Sequence, residues 1–169
     1  MGIATKFAAA VFATTALTTT AMAADLYTPV DPVVYEQPSG DWEGFYAGVF
    51  GSYNDWAGGD FGGGARVGYN FDAGDFVFGL EGSFAYYPNL SGGTSAIEGD
   101  VRFGFDAGQA LIYGVAGLGQ VNWGGTTNYW TFGAGAEFMV TDMISVGAEY
   151  KYRDTGANIF NVGLNVHMK

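Results

Sequence analysis

From Asp41 onward the chain alternates apolar and polar residues with a period of two, the pattern of β-strands whose two faces meet different surroundings. Phe61, Ala65, Val67, Tyr69 and Phe71 share one face, against Gly62, Gly64, Arg66, Gly68 and Asn70. Phe76, Phe78, Leu80, Phe84 and Tyr86 then oppose Asp75, Gly79, Glu81 and Ser83, and Ile97, Val101, Phe103 and Phe105 oppose Glu98, Asp100 and Arg102. Three later segments repeat the pattern. Trp130 to Phe138 alternates with Thr131, Gly133, Gly135 and Glu137; Ile144 to Tyr152 alternates with Ser145, Gly147, Glu149 and Lys151; Phe160 to Met168 alternates with Asn161, Gly163, Asn165 and His167. Two further segments, Trp42 to Tyr53 and Leu111 to Trp123, are apolar on both faces, so the pattern leaves their orientation open. The pattern predicts eight strands.

The connections alternate too. Phe71-Asp72-Ala73-Gly74-Asp75 and Phe105-Asp106-Ala107-Gly108-Gln109 are near-copies with the Asp/Gly chemistry of tight turns, and Val140-Thr141-Asp142-Met143 takes the third such place. Between them lie the expected loops 54–60, 87–95, 124–128 and 154–158. Short turns alternating with mildly longer loops fit an up-and-down barrel with short periplasmic turns, and an even strand count returns both ends to one side.

Composition sharpens which barrel this is. Aromatics make up 17% of the chain, charged residues only 14%, and there are 29 glycines. A soluble barrel would hide its apolar face around a ligand cavity. Here the polar face is mostly glycine and ions, a poor lining for an apolar ligand. Trp42, Trp123, Trp130, Tyr86, Tyr150 and Tyr152 fall near predicted strand ends, where membrane girdles sit. The expected fold is therefore all-β: an eight-stranded antiparallel up-and-down transmembrane β-barrel over residues 41–169, in a Gram-negative outer membrane.

Ahead of the barrel, residues 1–23 read as a secretory signal peptide. Lys6 precedes an Ala/Thr-rich apolar run, and Ala21-Met22-Ala23 fits signal peptidase, with cleavage between Ala23 and Ala24. No other segment approaches the ~18 continuous apolar residues of a membrane helix. Residues 24–40 hold Pro29, Pro32 and Pro38 without apolar periodicity and read as an extended periplasmic tether.

Turning the apolar face to lipid puts Arg66, Arg102 and Lys151 inside with Glu81, Glu98, Asp100, Glu137 and Glu149. Eight strands enclose a lumen that side chains can just fill, and ions there must pair or take water. The expectation is a charged network that plugs the lumen of a structural envelope protein. A narrow porin-like channel for ions or small solutes is the alternative, since inward glycines leave room for water. A surface adhesin built on Trp56, Tyr87, Pro88 and Leu90 is the third reading.

Other chemistry is thinly represented. Cysteine is absent, and the net charge of −11 with only six Lys and Arg leaves no basic footprint for nucleic acid. The single histidine, His167, has no evident Ser–acid partner, and Glu98 and Asp100 are expected to pair with Arg66 or Arg102. The glycine run 58–64 lacks the lysine and helix of a phosphate loop. No enzyme and no cofactor are expected.

Asp41-Trp42-Glu43-Gly44-Phe45-Tyr46-Ala47-Gly48 resembles the opening strand of the alphaproteobacterial outer-membrane β-barrel domain family, often called porin-like and similar in architecture to OmpA and OmpX. Trp130 to Phe138 and its continuation Ser145 to Asp154 resemble that family's late hairpin. The resemblance implies an abundant envelope protein whose partners are outer-membrane lipid, lipopolysaccharide and the barrel assembly machinery. Family members usually finish in an aromatic residue, whereas this chain closes His167-Met168-Lys169. Some begin the mature chain with Ala-Asp joined to peptidoglycan, which makes Ala24 and Asp25 the implied attachment site.

Overall fold

In the computed structural model, which describes residues 41–168, eight antiparallel strands close into one barrel. They are β1 (Gly44–Asn54), β2 (Asp60–Asp72), β3 (Phe76–Tyr87), β4 (Thr94–Asp106), β5 (Ala110–Asn122), β6 (Thr126–Met139), β7 (Ile144–Arg153) and β8 (Asn158–Met168). Each strand pairs with its sequence neighbours, and β1 closes on β8 from Phe45↔Met168 to Asn54↔Ile159. Closure pairs both edges of every strand, the condition for crossing hydrocarbon with strands.

The two copied turns fold alike. Gly74 N–H donates to Asp72 Oδ1 at 2.7 Å, and Gly108 N–H donates to Asp106 Oδ1 at the same distance. Both glycines have positive φ (87° and 77°), the conformation only glycine adopts without strain. In the third turn Thr141 replaces the aspartate, its Oγ1 accepting from the Ile144 N–H at 3.0 Å. These three turns, the start of β1 and the end of β8 define one rim, the turn end; the other rim is the loop end. One expected loop is shorter than its sequence suggests. Residues 126–128 continue β6, because Thr126, Thr127 and Asn128 pair with Asn122, Val121 and Gln120.

The barrel is apolar outside and polar inside. Phe61, Leu118 and Val162 are 74%, 72% and 67% exposed, whereas the buried set includes every one of the eight charged residues assigned to the interior. The outward aromatics fall into two belts. Phe45, Tyr69, Phe71, Phe76, Phe78, Phe103, Phe105 and Phe138 ring the turn end; Tyr53, Phe61, Tyr86, Trp130, Phe132, Tyr150 and Phe160 ring the loop end. Between them lies an aliphatic band of Val49, Val67, Leu80, Val101 and Val162, the profile of a lipid-facing wall. Trp42 departs from the girdle expected of it. It is fully buried, because its indole N–H finds an acceptor inside the turn-end rim, the Gly108 carbonyl at 3.0 Å.

The signal peptide, the tether, and Ala23, Ala24 and Asp25 lie outside the described residues.

Candidate functional site in the barrel lumen

Inward aromatic rings lie over inward glycines of the adjacent strand. Tyr46 faces its register partner Gly68, Tyr113 faces Gly135, Tyr129 faces Gly119 and Phe50 faces Gly64. A Cβ added at any of these glycines would stand 2.4–2.5 Å from the ring. At these four positions glycine is thus the counterpart of a large ring, while polar side chains take the space at others, Asn165 at Gly48 and Asp100 at Gly117. This also orients β1 and β5, the strands apolar on both faces: Tyr46 and Tyr113 turn inward because their phenols have ionic partners there.

Nearer the turn end, two arginines and two glutamates form one group. Glu81 accepts from the Tyr46 hydroxyl at 2.7 Å and lies 3.4 Å from Arg102 and 3.7 Å from Arg66. Arg102 donates to Glu137 and to the Tyr46 oxygen, and its guanidinium stacks 3.8 Å above the Tyr113 ring. Ser145 and Asn165 donate to Glu137 Oε2 at 2.9 and 3.0 Å. Charges here are balanced two against two and bridged by neutral donors, the condition under which buried ions are tolerated.

Toward the loop end, Lys151 is the hub. Its Nζ donates to Glu98 at 2.6 Å and Asp100 at 2.7 Å, with Glu149 at 3.6 Å. Arg153 stands 3.9 Å from Glu98 and 3.8 Å above the Tyr129 ring. Tyr113 and Asn161 complete Glu149, at 3.1 and 3.2 Å. Glu98 and Asp100 therefore pair with Lys151, and Glu98 also with Arg153, rather than with Arg66 or Arg102. The reason is height along the axis: Lys151 reaches across the lumen to their level, while both arginines are held lower by Glu81 and Glu137.

Apolar residues close both ends of this ionic column. At the turn end Trp42, Val77, Leu111, Tyr113, Val115 and Met139 form a buried cluster. At the loop end Phe50, Ala85, Tyr87 and Leu90 cluster beneath Trp56, whose ring stacks on Trp123 with centroids 5.8 Å apart. Tyr87 and Leu90, expected to be exposed contact points, are 2% and 5% exposed; the Tyr87 hydroxyl hydrogen-bonds Ser52 at 2.7 Å and the Leu90 carbonyl accepts from Thr94. Pro88 stays exposed and Trp56 is half-buried. A cavity between Phe50, Tyr87, Glu98, Lys151 and Arg153 measures about 20 Å³, room for one water.

His167 does have a serine and an acid beside it. Its Nε2 lies 3.0 Å from Ser145 Oγ and 4.0 Å from Glu137 Oε2. The register hides this from the sequence, since Ser145 pairs with Asn165 and sits beside His167 only diagonally. One imidazole nitrogen faces both partners, and Ser145 gives its proton to Glu137. A nucleophile needs the opposite arrangement: base on the hydroxyl, acid on the other nitrogen. All three residues are also sealed, at 0–2% exposure, behind Trp42. Among the described residues no His, Cys, Asp or Glu group suits a metal ion, and Lys151 already occupies the centre of its three carboxylates.

The comparisons agree with this inside-out architecture. A 22 kDa outer membrane protein of Rhizobium leguminosarum bv. viciae is 36% identical over 140 residues, covering 70% of this chain; the match spans 66% of that protein, just under two thirds of its length. The N-terminal β-barrel domain of Pseudomonas aeruginosa OprF is similar at a TM-score of 0.55 and 15% identity, covering 73% of this chain and 97% of that one. The outer membrane enzyme PagL is similar at a TM-score of 0.52 and 12% identity, covering 72% and 99%. At these identities the two structures speak for the fold alone. The outer membrane protein beta-barrel domain profile matches residues 9–167, and the chain belongs to that family of the bacterial outer membrane.

Proposed function

We propose that this outer-membrane barrel is a structural protein of the envelope whose lumen is plugged. The observation that carries the reading is the continuous filling of the lumen, from Trp42 through the two ionic groups to Trp56, with a cavity of about 20 Å³ in its loop-end half. By the usual orientation of such barrels, the turn end faces the periplasm and the loop end the outside. The filled lumen contributes rigidity: ion pairs that bridge non-adjacent strands, Lys151 to Glu98 and Asp100 and Arg102 to Glu137, favour one arrangement of the wall. A non-catalytic role fits this reading, with Ser145, Glu137 and His167 serving as packing and hydrogen-bonding groups in a sealed site.

A channel would require the Lys151 and Arg102 groups to part together. Liposome swelling tests this: vesicles containing the refolded barrel should shrink and stay shrunken in small-sugar or salt gradients, and re-swelling at the rate given by a general porin would end the reading. The Ala24 amine freed by signal cleavage would be the acceptor for a peptidoglycan stem, which would join barrel and wall. Mass spectrometry of the N-terminal peptide after lysozyme digestion decides that point, and an unmodified Ala24 refutes it.

A further inference from the structure

Immediately before β1 lies a three-residue strap, Asp41-Trp42-Glu43, that belongs to no strand. Its middle side chain is fully buried while both neighbours are exposed. Gly44 makes the bend from which Trp42 enters the turn-end mouth. Its φ of 116° is one that residues with a side chain rarely adopt, and a Cβ there would stand 2.8 Å from the Met168 carbonyl oxygen. The strap reaches the far wall. The Gly108 carbonyl that accepts from the Trp42 indole lies in the β4–β5 turn, half-way round the ring from β1. The Trp42 ring packs with Val77, Leu111 and Met139, and meets the His167 ring of β8 edge-on at 5.5 Å. One side chain thus spans the mouth from the β1–β8 closure to the opposite wall.

Strap and strand differ in what holds them. β1 is paired along its whole length, from Gly44↔Asn70 to Asn54↔Asp60 on one edge and from Phe45↔Met168 to Asn54↔Ile159 on the other. A pull along β1 loads both ladders in shear, all their bonds together. The Trp42 side chain is held by its indole N–H and by packing, and a pull toward the turn end draws it out of the mouth along the barrel axis. The strap is also loaded first, because tension from the chain preceding Asp41 passes through it before reaching β1. A weakly held element at the head of the load path opens locally while the rest stays folded.

We infer that Asp41-Trp42-Glu43 is a cap released by tension: a pull on the N-terminal chain swings Trp42 about Gly44 and uncovers the turn-end mouth, while the wall and the ionic groups stay in place. Release uncovers Val77, Leu111 and Met139 and, behind them, the Ser145, His167 and Glu137 group. It also gives slack to the chain ahead of β1, so the β1 ladders carry load only after the cap has opened.

The sequence holds no cysteine, so one introduced thiol reports the cap cleanly. Leu111→Cys, at a position 2% exposed and packed with Trp42, is compared with Ala96→Cys, 5% exposed in the loop-end half of the lumen. Each barrel is held in a lipid nanodisc and pulled steadily by a magnetic bead on its biotinylated N-terminus. Alkylation of Leu111→Cys by a water-soluble maleimide should then speed up by about tenfold or more, as local opening requires. Alkylation of Ala96→Cys should not change, and the same pull at the C-terminus should change neither. Adding Trp42→Ala should make Leu111→Cys react fast without any pull. Trp42→Phe keeps the mouth filled should the alanine variant misfold, and without the indole N–H it should open at lower force. An unchanged Leu111→Cys rate under N-terminal tension overturns the proposal. So does equal acceleration at Ala96→Cys, or equal acceleration by the C-terminal pull.

Discussion

The ring of Tyr113 lies over Gly135, its register partner on the next strand, with only 2.5 Å between the ring and the place a Cβ would occupy. The same ring carries Arg102 on its face and donates its hydroxyl to Glu149. A glycine in the wall thus fixes the position of an arginine in the lumen, through one tyrosine.

Gly135→Val should therefore damage the interior even though it adds only apolar atoms. Displacing Tyr113 costs about 1–3 kcal/mol by overpacking, and the barrel should unfold at lower urea in lipid vesicles. Gly82→Ala, facing open space on the outside, should be neutral or stabilising by about 0.5–1 kcal/mol, since alanine loses less entropy in a strand. Equal losses at both sites would show that the ring–glycine contacts do not matter.

Removing one partner of a buried ion pair should cost more than removing both. Arg102→Met leaves Glu137 without its guanidinium and Glu81 with Arg66 alone, and should destabilise by about 3–5 kcal/mol. Adding Glu137→Leu, with Glu81 kept as the partner of Arg66, should recover much of that loss, because apolar replacements of similar volume are often neutral. Equilibrium unfolding of the single and double variants checks the order.

Trp42 closes the turn end but is only the lowest part of the filling. Trp42→Ala should cost about 3–5 kcal/mol as a large-to-small core change. It should also leave the barrel impermeable to ions, because the Arg102 and Lys151 groups above it remain in place. Thermal melting by near-UV circular dichroism and ion leakage from the same vesicles separate the two effects.

Met168 sits on the lipid face of β8 opposite Phe45, in the strand where the family resemblance implies an aromatic residue. Met168→Phe should speed folding by the assembly machinery in reconstituted proteoliposomes while leaving the lumen unchanged. An unchanged rate would mean the last strand is read by other residues.

The fold was largely legible in the sequence, because a period of two allows only two faces and the copied Asp-Ala-Gly turns mark where strands reverse. The eight charged positions were legible as inward for the same reason. Their pairing was not. Glu98 and Asp100 meet Lys151 from across the lumen, and which residues share a height depends on strand tilt and register, which alternation does not encode. On β1 and β5 both faces are apolar, so the inward turn of Tyr46 and Tyr113 depended on partners belonging to other strands. Arg153 was missed as a member of the ionic groups because it sits at a strand end; His167 was legible on the polar face, but its partners Ser145 and Glu137 belong to other strands. The glycines of the polar face suggested space for water; side chains of the neighbouring strands, rings at Gly64, Gly68, Gly119 and Gly135 and polar groups at Gly48 and Gly117, occupy it.

Single-channel recording of the refolded barrel in planar bilayers tests the central claim most directly. A lumen filled from Trp42 to Trp56 predicts a silent membrane, with no stable openings across the voltage range at neutral pH. Long-lived, sizeable openings that disappear when Lys151 or Arg102 is replaced would place the conducting path through the ionic groups and contradict it.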